Sequence, residues 1–259
     1  MYSKLIFYIL ILAAIVHIVF SIIVLFFPKM INNYTDTTEN IVHSIMIDER
    51  KYYREVTSNE RESLKRKTDE LDILLKKYPK FMGIDWKFRV ITKNLPAYFT
   101  YEDYIYIPYN KIDTIGKSTL LHEKVHILQR IYKEEFDNYY LDILNYESKS
   151  VELSKKWQEL FLINPDALDI NWVFKESGKY YLPLLLKSFK RVVILLKLNK
   201  DGTYITTDEV YDFNDFNFFN NYLSFMSGLY NPNELLAEMI TSFILEDYNN
   251  ESLKLFLNK

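Results

Sequence analysis

"STLLHEKVHILQR", residues 118–130, contains two of the four histidines in the chain, His122 and His126, with Glu123 beside the first. The apolar residues around them recur with the period of a helix. Residues four apart lie on one face of an α-helix, so both imidazoles could bind one ion of the size of zinc, each at about 2.0–2.1 Å. Glu123 projects about 100° further round, where a general base for a metal-bound water belongs. The H-E-x-x-H motif therefore predicts two metal ligands and one base on a single helix.

The composition narrows the choice of function and of metal ligand. A chain of 259 residues that is 49% hydrophobic can form one globular domain with appendages, and it is too apolar to be disordered. A net charge of −3 without a basic stripe argues against nucleic acid as a partner. The absence of cysteine excludes disulfides, thiolate zinc sites and cysteine nucleophiles. Any metal must therefore be held by His, Asp or Glu.

The N-terminal region predicts a membrane anchor. Residues 5–27, "LIFYILILAAIVHIVFSIIVLFF", carry no formal charge and exceed the roughly 20 residues that cross a bilayer. No small-residue cleavage site follows, which favours an uncleaved anchor over a signal peptide. We expect residues 1–30 to be a single transmembrane helix and residues 31–44 a polar stalk. The basic charge at Lys4 and the amino terminus favours a translocated, non-cytoplasmic C-terminal domain.

Residues 45–259 are expected to form one domain. A charged helix is predicted from residue 45 to residue 78, ended by Pro79. The alternation of "WKFRVI" and of "YEDYIYIPYN", residues 86–91 and 101–110, predicts strands, the second as an edge strand that ends at Pro108. The fold class predicted is α+β, with a small, mostly antiparallel sheet from about residue 86 to residue 108 ahead of the H-E-x-x-H helix.

The remaining part of this domain is predicted to be mainly helical. Residues 131–230 should form an inserted, mostly helical subdomain, with one strand at "RVVILLKL", residues 191–198. Ser118 or Thr119 is expected to cap the H-E-x-x-H helix, because their hydroxyls can accept from orphan N–H groups at a helix start.

A catalytic zinc site also needs a third protein ligand and an open position. The two remaining histidines, His17 and His43, lie in the predicted anchor and stalk, so the third ligand should be a carboxylate. A helix beginning in "NPNELLAEMITSFILEDY", residues 231–248, offers Glu234 and Glu238, which are four apart and share a face.

Three alternatives to Glu234 as a ligand stay open. Glu238 could take its place, and so could Glu134 or Glu135 elsewhere in the chain. Asn231-x-x-Glu234 also has the spacing of a capping box, in which this glutamate only accepts from a backbone N–H.

"HEKVH" followed by "NELLAE" resembles the gluzincin, thermolysin-like arrangement of metallopeptidases, in which an HExxH helix is joined by a second helix carrying N-E-x-x-[SA]-[DE]. The resemblance covers two short motifs and implies a zincin-like fold. It implies that zinc is bound by His122, His126 and Glu234, that Glu123 is the base, and that Glu238 orients a ligand histidine from the outer shell.

Two features depart from this pattern. Glu234 follows His126 by 108 positions, so the segment between them must be an insertion. No histidine remains to stabilise the transition state, so a tyrosine or an arginine would have to donate there, and Tyr222 and Tyr230 are the candidates upstream of Glu234. Gln129, one turn beyond His126, is expected to neighbour the site.

These observations predict a membrane-anchored zinc peptidase acting on a peptide or protein substrate. The metal would polarise the peptide carbonyl and activate water, and Glu123 would carry the proton to the leaving amine. The alternative is a catalytically inactive domain that keeps the metal as a structural or partner-binding module. The presence of Glu123 favours the enzyme, because a structural zinc needs no base.

Overall fold

The computed structural model describes residues 52–93, 95, 97–161, 172–186, 192–201, 203–225, 228–246 and 248–259. The predicted anchor and stalk lie outside these residues. None of the described helices combines the length and apolar character that crossing a bilayer requires. Over the described residues the fold is mixed α+β, with two sheets and six α-helices.

The first sheet contains the strands that the alternating sequence predicts. Its four strands pair in the order β1-β2-β4-β3, with β2 and β4 parallel and the other two pairs antiparallel. They are β1 (Tyr53–Glu55), β2 (Phe88–Ile91), β3 (Phe99–Tyr101) and β4 (Tyr104–Pro108). A mostly antiparallel sheet in this region is therefore confirmed, although β1 extends it beyond the predicted range.

The prediction that residues 101–110 form an edge strand is wrong. β4 pairs on both sides, and the edge strands are β1 and β3. Ile105, Tyr106 and Ile107 are fully buried, so both faces of β4 are covered despite its alternating sequence. Pro108 ends the strand, where its missing N–H interrupts no further pairing.

The six α-helices include the two that carry the sequence motifs. Their bounds are α1 (Ser58–Leu75), α2 (Lys117–Ile131), α3 (Lys133–Asp142), α4 (Lys155–Leu160), α5 (Pro232–Leu245) and α6 (Glu251–Leu257). Short 3-10 helices lie at Pro79–Phe81, Tyr109–Lys111, Phe213–Asp215, Asn217–Asn221 and Leu223–Phe225. The charged helix predicted over residues 45–78 is confirmed in part as α1, because residues 53–55 form β1 instead.

α1 begins with a capping box that also ties it to β1. Thr57 accepts from the Glu60 backbone N–H, and the Glu60 carboxylate accepts from the Thr57 N–H at 2.8 Å. Arg54 of β1 donates to both Glu60 oxygens at 2.7 Å. The hydrogen bond from Arg54 is the largest influence on the Glu60 carboxyl and lowers its pKa to about 2.

The prediction of a mostly helical insertion over residues 131–230 is wrong. The described part of this segment holds a six-stranded sheet in the order β5-β7-β8-β9-β10-β6, antiparallel except for the β10/β6 pair. Its strands are β5 (Tyr146–Ser148), β6 (Val151–Glu152), β7 (Trp172–Glu176), β8 (Lys179–Leu186), β9 (Val192–Asp201) and β10 (Thr203–Tyr211). The strand predicted at residues 191–198 is confirmed by β9.

The physical reason for this error lies in the apolar runs. Leu182, Leu184 and Leu185 of β8 are all buried, so the strand is covered on both faces and shows no alternation. A short continuous apolar run fits a buried strand or a buried helix equally well.

α2 and α5 pack directly against each other in the main hydrophobic core. Leu121, Val125 and Leu128 of α2 are fully buried, as are Leu235 and Met239 of α5. The core therefore fixes the relative position of the two helices that carry the sequence motifs.

α2 starts earlier than predicted. It begins at Lys117 with Gly116 at the cap position, and no side chain caps it. The prediction of a cap from Ser118 or Thr119 is therefore wrong.

Candidate metal centre

His122, His126 and Glu234 lie together where α2 meets α5. The two histidine Nε2 atoms are 3.1 Å apart. Glu234 Oε2 is 3.4 Å from His122 Nε2, and Glu234 Oε1 is 3.3 Å from His126 Nε2. His126 and Glu234 are buried, whereas the His122 side chain is 22% exposed. The group is therefore buried on the side of the hydrophobic core, and solvent can reach it beside the exposed part of His122.

The spacing of these donor atoms fits a metal ion. Ligands about 2.0–2.1 Å from a tetrahedral ion stand roughly 3.3–3.4 Å from one another. The three observed separations, 3.1, 3.3 and 3.4 Å, fall close to that value. Glu234 Oε1 is buried and accepts no hydrogen bond from the described residues, which is costly for a carboxylate oxygen unless a cation lies nearby. His122, His126 and Glu234 could therefore hold a metal ion.

Electrostatics keep Glu234 ionised. Burial alone would raise the pKa of its carboxyl. When His126 is protonated, its charge and the contacts with both histidines outweigh burial, so the pKa of Glu234 lies well below its usual range. A metal cation in the same position would act in the same direction.

Gln129 fixes the tautomer of His126. Its side-chain Nε2 donates to the Asn233 backbone carbonyl at 2.7 Å, so its Oε1 faces His126 Nδ1 at 2.8 Å. His126 then carries its proton on Nδ1 and keeps a lone pair on Nε2, which points at the centre. Tyr140 donates to Asn233 Oδ1 at 2.8 Å. Gln129 neighbours the site as expected, and it also joins the two motifs.

The capping box, which was the alternative role for Glu234, is not formed. Asn231 caps α5 by accepting from the Asn233 N–H at 2.9 Å, and Pro232 occupies the first turn. The Asn231 backbone N–H, which a capping box would direct to Glu234, donates instead to the Gly228 carbonyl at 3.1 Å. The start of α5 is therefore satisfied without the Glu234 carboxylate.

Gly228 allows the segment before α5 to approach the helix closely. A Cβ at this position would lie 2.9 Å from the N and Cα atoms of Leu235. Only glycine fits so tight a contact without displacing the backbone beside Glu234.

α2 is anchored to the chain around it by two cations. Lys124, inside the H-E-x-x-H motif, donates to the Ile84 carbonyl at 2.6 Å and lies 3.9 Å from the ring centroid of Trp86. Burial lowers the pKa of Lys124 to about 8. Arg130 donates to the carbonyl of Glu102 at 2.9 Å, in the turn between β3 and β4. These contacts bind the helix to loop 84–86 and to the edge of the first sheet.

Glu123 is 5% exposed, and its charge acts on Tyr98, a residue that the sequence did not single out. Burial raises the pKa of Tyr98, the hydrogen bond with Thr114 lowers it, and the charge of Glu123 raises it further. Tyr98 directly precedes β3, and no local motif marks it.

The two tyrosines selected from sequence occupy different environments. Tyr222 is buried in the main core, with its ring 5.1 Å from that of Phe218, and burial raises its pKa. Tyr230 is half-buried in the turn before α5. Their role as donors to a transition state stays a prediction.

The other glutamates considered as third ligands are not part of the metal-binding group. Glu134 and Glu135 lie exposed in the first turn of α3, and Glu135 pairs with Lys80. Glu238 lies one turn beyond Glu234 and lines a cavity of about 430 Å³ that opens beside His122. Its outer-shell role stays a prediction. In comparisons with known proteins, no family model, curated protein or solved structure matches the chain.

Proposed function

We propose that this chain is a zinc-dependent peptidase with a gluzincin-like ligand set on a zincin-like α+β fold. One observation carries the proposal. Glu234, 108 positions beyond His126, meets both motif histidines with the donor spacing of a tetrahedral ion. Two imidazoles, one carboxylate and an accessible side form the donor set of a catalytic zinc site. The retained Glu123 supports an enzyme over a structural or partner-binding module.

The residues around the centre would share the work of peptide hydrolysis. Bound zinc would supply Lewis acidity toward the peptide carbonyl and lower the pKa of water. Glu123 would accept the proton of the attacking water and pass it to the leaving nitrogen as the C–O bond forms and the C–N bond breaks. Gln129 would hold the proton on His126 Nδ1 throughout. The exposed side of His122 would admit the substrate.

A tyrosine would donate to the developing oxyanion. Tyr222 and Tyr230 are the candidates from sequence, and Tyr98, whose pKa is raised by burial and by the charge of Glu123, is a third. Replacing each by phenylalanine should identify the donor as the variant in which kcat falls while zinc content is unchanged. If all three variants keep wild-type kcat, the oxyanion is stabilised by another group.

The uncharged run at residues 5–27 supports a single-pass anchor with the catalytic domain on the non-cytoplasmic side. Deleting residues 1–30 should produce a protein that alkaline carbonate releases from membranes, while the full chain stays with them. Equal extraction of both would show that the segment is no anchor.

Glutamine substitutions at Glu123 and Glu234 test the assigned roles, because the two variants should lose different properties. Glu123→Gln should keep about one equivalent of zinc and lose about 10²–10⁴-fold in hydrolysis, the usual contribution of a general base. Glu234→Gln replaces a charged ligand by a neutral amide, so zinc affinity itself should fall. Glu238→Gln should cost about 10–100-fold in affinity or activity if it supports a ligand from the outer shell.

Zinc content by atomic emission and hydrolysis of a mixed peptide set are the measurements. Glu134→Gln, an exposed glutamate outside the group, is the matched control and should behave as wild type. Wild-type zinc content in Glu234→Gln would remove Glu234 from the ligand set. A wild-type protein that binds zinc and cleaves none of the peptides would favour the structural module.

A further inference from the structure

The cavity beside His122 is built along one face of α5. We call it the α5 pocket. Glu238, Thr241, Ser242 and Glu246 line it. Glu238, Ser242 and Glu246 follow one another at four positions, the spacing of residues on a single helix face, and Thr241 lies three positions after Glu238. Because His122 also lines the pocket, a group bound there would sit next to the metal centre.

Thr241 contributes a buried hydroxyl group to the wall of the pocket. Its side chain is among the buried polar groups, with the residue 5% exposed, and its hydroxyl has no hydrogen-bond partner among the described residues. Buried hydroxyls are ordinarily paired, and an orphan at a site wall indicates a partner that the chain does not supply. Thr241 is one of the residues that line the pocket, so a polar group bound there could supply the missing partner.

The pocket is anionic. Glu238 and Glu246 line it, and none of the described residues lining it is a lysine or an arginine. Ser242 donates to Glu246 Oε2 at 3.0 Å, which holds that carboxylate against the helix. An occupant with a positive charge would therefore be favoured over a neutral or negative one.

Aromatic rings complete the opposite wall. Phe225 and Tyr248 line the pocket with their centroids 5.1 Å apart, at 73° to each other. Such rings pack against methylene groups and attract cations at their faces. From Glu234 to Thr241 the helix rises about 10 Å, so the pocket runs away from the centre for the length of a long side chain.

We propose that the α5 pocket binds the lysine or arginine side chain of a peptide substrate, in a residue next to the cleaved bond. The inference rests on the proposed peptidase function and names its substrate class: peptides with a basic residue at that position. Glu246 and Glu238 would attract the charge, Thr241 would accept a hydrogen bond, and the aromatic rings would cover the stem.

A binding experiment tests this without requiring turnover. The full chain carrying Glu123→Gln, loaded with zinc, is titrated into fluorescent peptide mixtures that differ at one fixed position. That position holds arginine, its neutral isostere citrulline, or glutamate. The arginine mixture should bind at least about 10-fold more tightly than the citrulline mixture, and the difference should shrink as salt is raised. The glutamate mixture should bind most weakly.

Variants of the pocket residues then show which side chains cause the preference for arginine. Adding Glu246→Gln to this protein should reduce the ratio of arginine to citrulline affinity, and Glu246→Lys should make the glutamate mixture the tightest binder. Thr241→Val should weaken binding of the arginine and citrulline mixtures alike, because both side chains donate N–H groups. Glu251→Gln on α6, an exposed acid outside the pocket, should leave the ratio unchanged. Equal binding of arginine and citrulline, or a ratio that is the same in all variants, would overturn the proposal.

Cleavage by the wild-type chain separates this proposal from the proposed function. Hydrolysis of the mixtures with a basic residue beside the cut bond supports both. Hydrolysis without such a preference leaves the peptidase standing and overturns the pocket assignment. If no mixture is cleaved, the peptidase proposal fails, and the binding ratio still decides whether the pocket selects basic side chains.

Discussion

Replacing Gln129 by leucine should weaken metal binding through a residue that is not itself a ligand. The amide is 6% exposed and makes two hydrogen bonds, with His126 Nδ1 at 2.8 Å and with the Asn233 carbonyl at 2.7 Å. Leucine fills similar space and leaves both partners buried and unpaired. At about 1–3 kcal/mol for each, the free energy of unfolding should fall by about 2–4 kcal/mol after the apolar gain of leucine is subtracted. Loss of the group that orients a ligand histidine should lower zinc affinity by about 10–100-fold.

The assays are zinc competition with a chromophoric chelator and denaturant unfolding of the metal-free protein. Tyr146→Phe is the matched control, because Tyr146 is fully buried and donates to the Leu229 carbonyl at 2.6 Å without contacting the centre. It should lose stability and keep zinc affinity. Wild-type zinc affinity in Gln129→Leu would refute the orienting role, and an equal loss in both variants would assign the effect to general loosening.

Two further predictions concern the supporting structure. Gly228→Ala would bring a Cβ within 2.9 Å of the Leu235 backbone. The free energy of unfolding should therefore fall by about 1–3 kcal/mol, and zinc affinity should fall with it. Gly116→Ala is the control and should change zinc affinity little, because its Cβ meets nothing within 4 Å. The pKa of Glu60 is lowered to about 2, so its ion pair stabilises the fold above about pH 4.3 and this contribution is lost as pH falls toward 2. With chelator present, wild type should exceed Glu60→Gln by about 1 kcal/mol at pH 6, a modest value because the pair is partly exposed, and the gap should close near pH 2. A gap that persists at pH 2, or a Gly228→Ala protein as stable as wild type, would contradict these accounts.

The candidate site was largely predictable because its two parts are local motifs. The spacing of His122 and His126 places both imidazoles on one helix face, and Asn231 and Pro232 mark where the second helix starts. The third ligand could only be narrowed to a few carboxylates, since the capping-box spacing is equally good in sequence. What selects Glu234 is its tertiary contact with His122 and His126, while the Asn231 N–H is taken by the local turn before the helix. The electrostatic effect of Glu123 on Tyr98 depends on the fold in the same way.

The fold could be predicted where apolar and polar side chains alternate, and the prediction failed where they do not. β2 and β4 follow from alternation, and the cap of α1 follows from its sequence spacing. The second sheet was missed because its central strands are apolar on both faces, as in β8. Strand order also escaped prediction. Whether β4 is an edge depends on β3, a three-residue strand that joins it through a two-residue turn with Glu102 at a φ of 53°.

His126 and Glu234 are 108 positions apart in the sequence, and this separation affects when the centre can form during synthesis of the chain. The whole second sheet lies inside the loop that a bound metal would close. A cross-link spanning about 100 residues removes roughly 4–5 kcal/mol of conformational freedom from the unfolded chain, so metal release would loosen the junction between the two ends of the domain. A nascent chain that has already formed the H-E-x-x-H helix still lacks Glu234 until the whole second sheet has been synthesised. The three donor residues would therefore come together only after that sheet is available to fold.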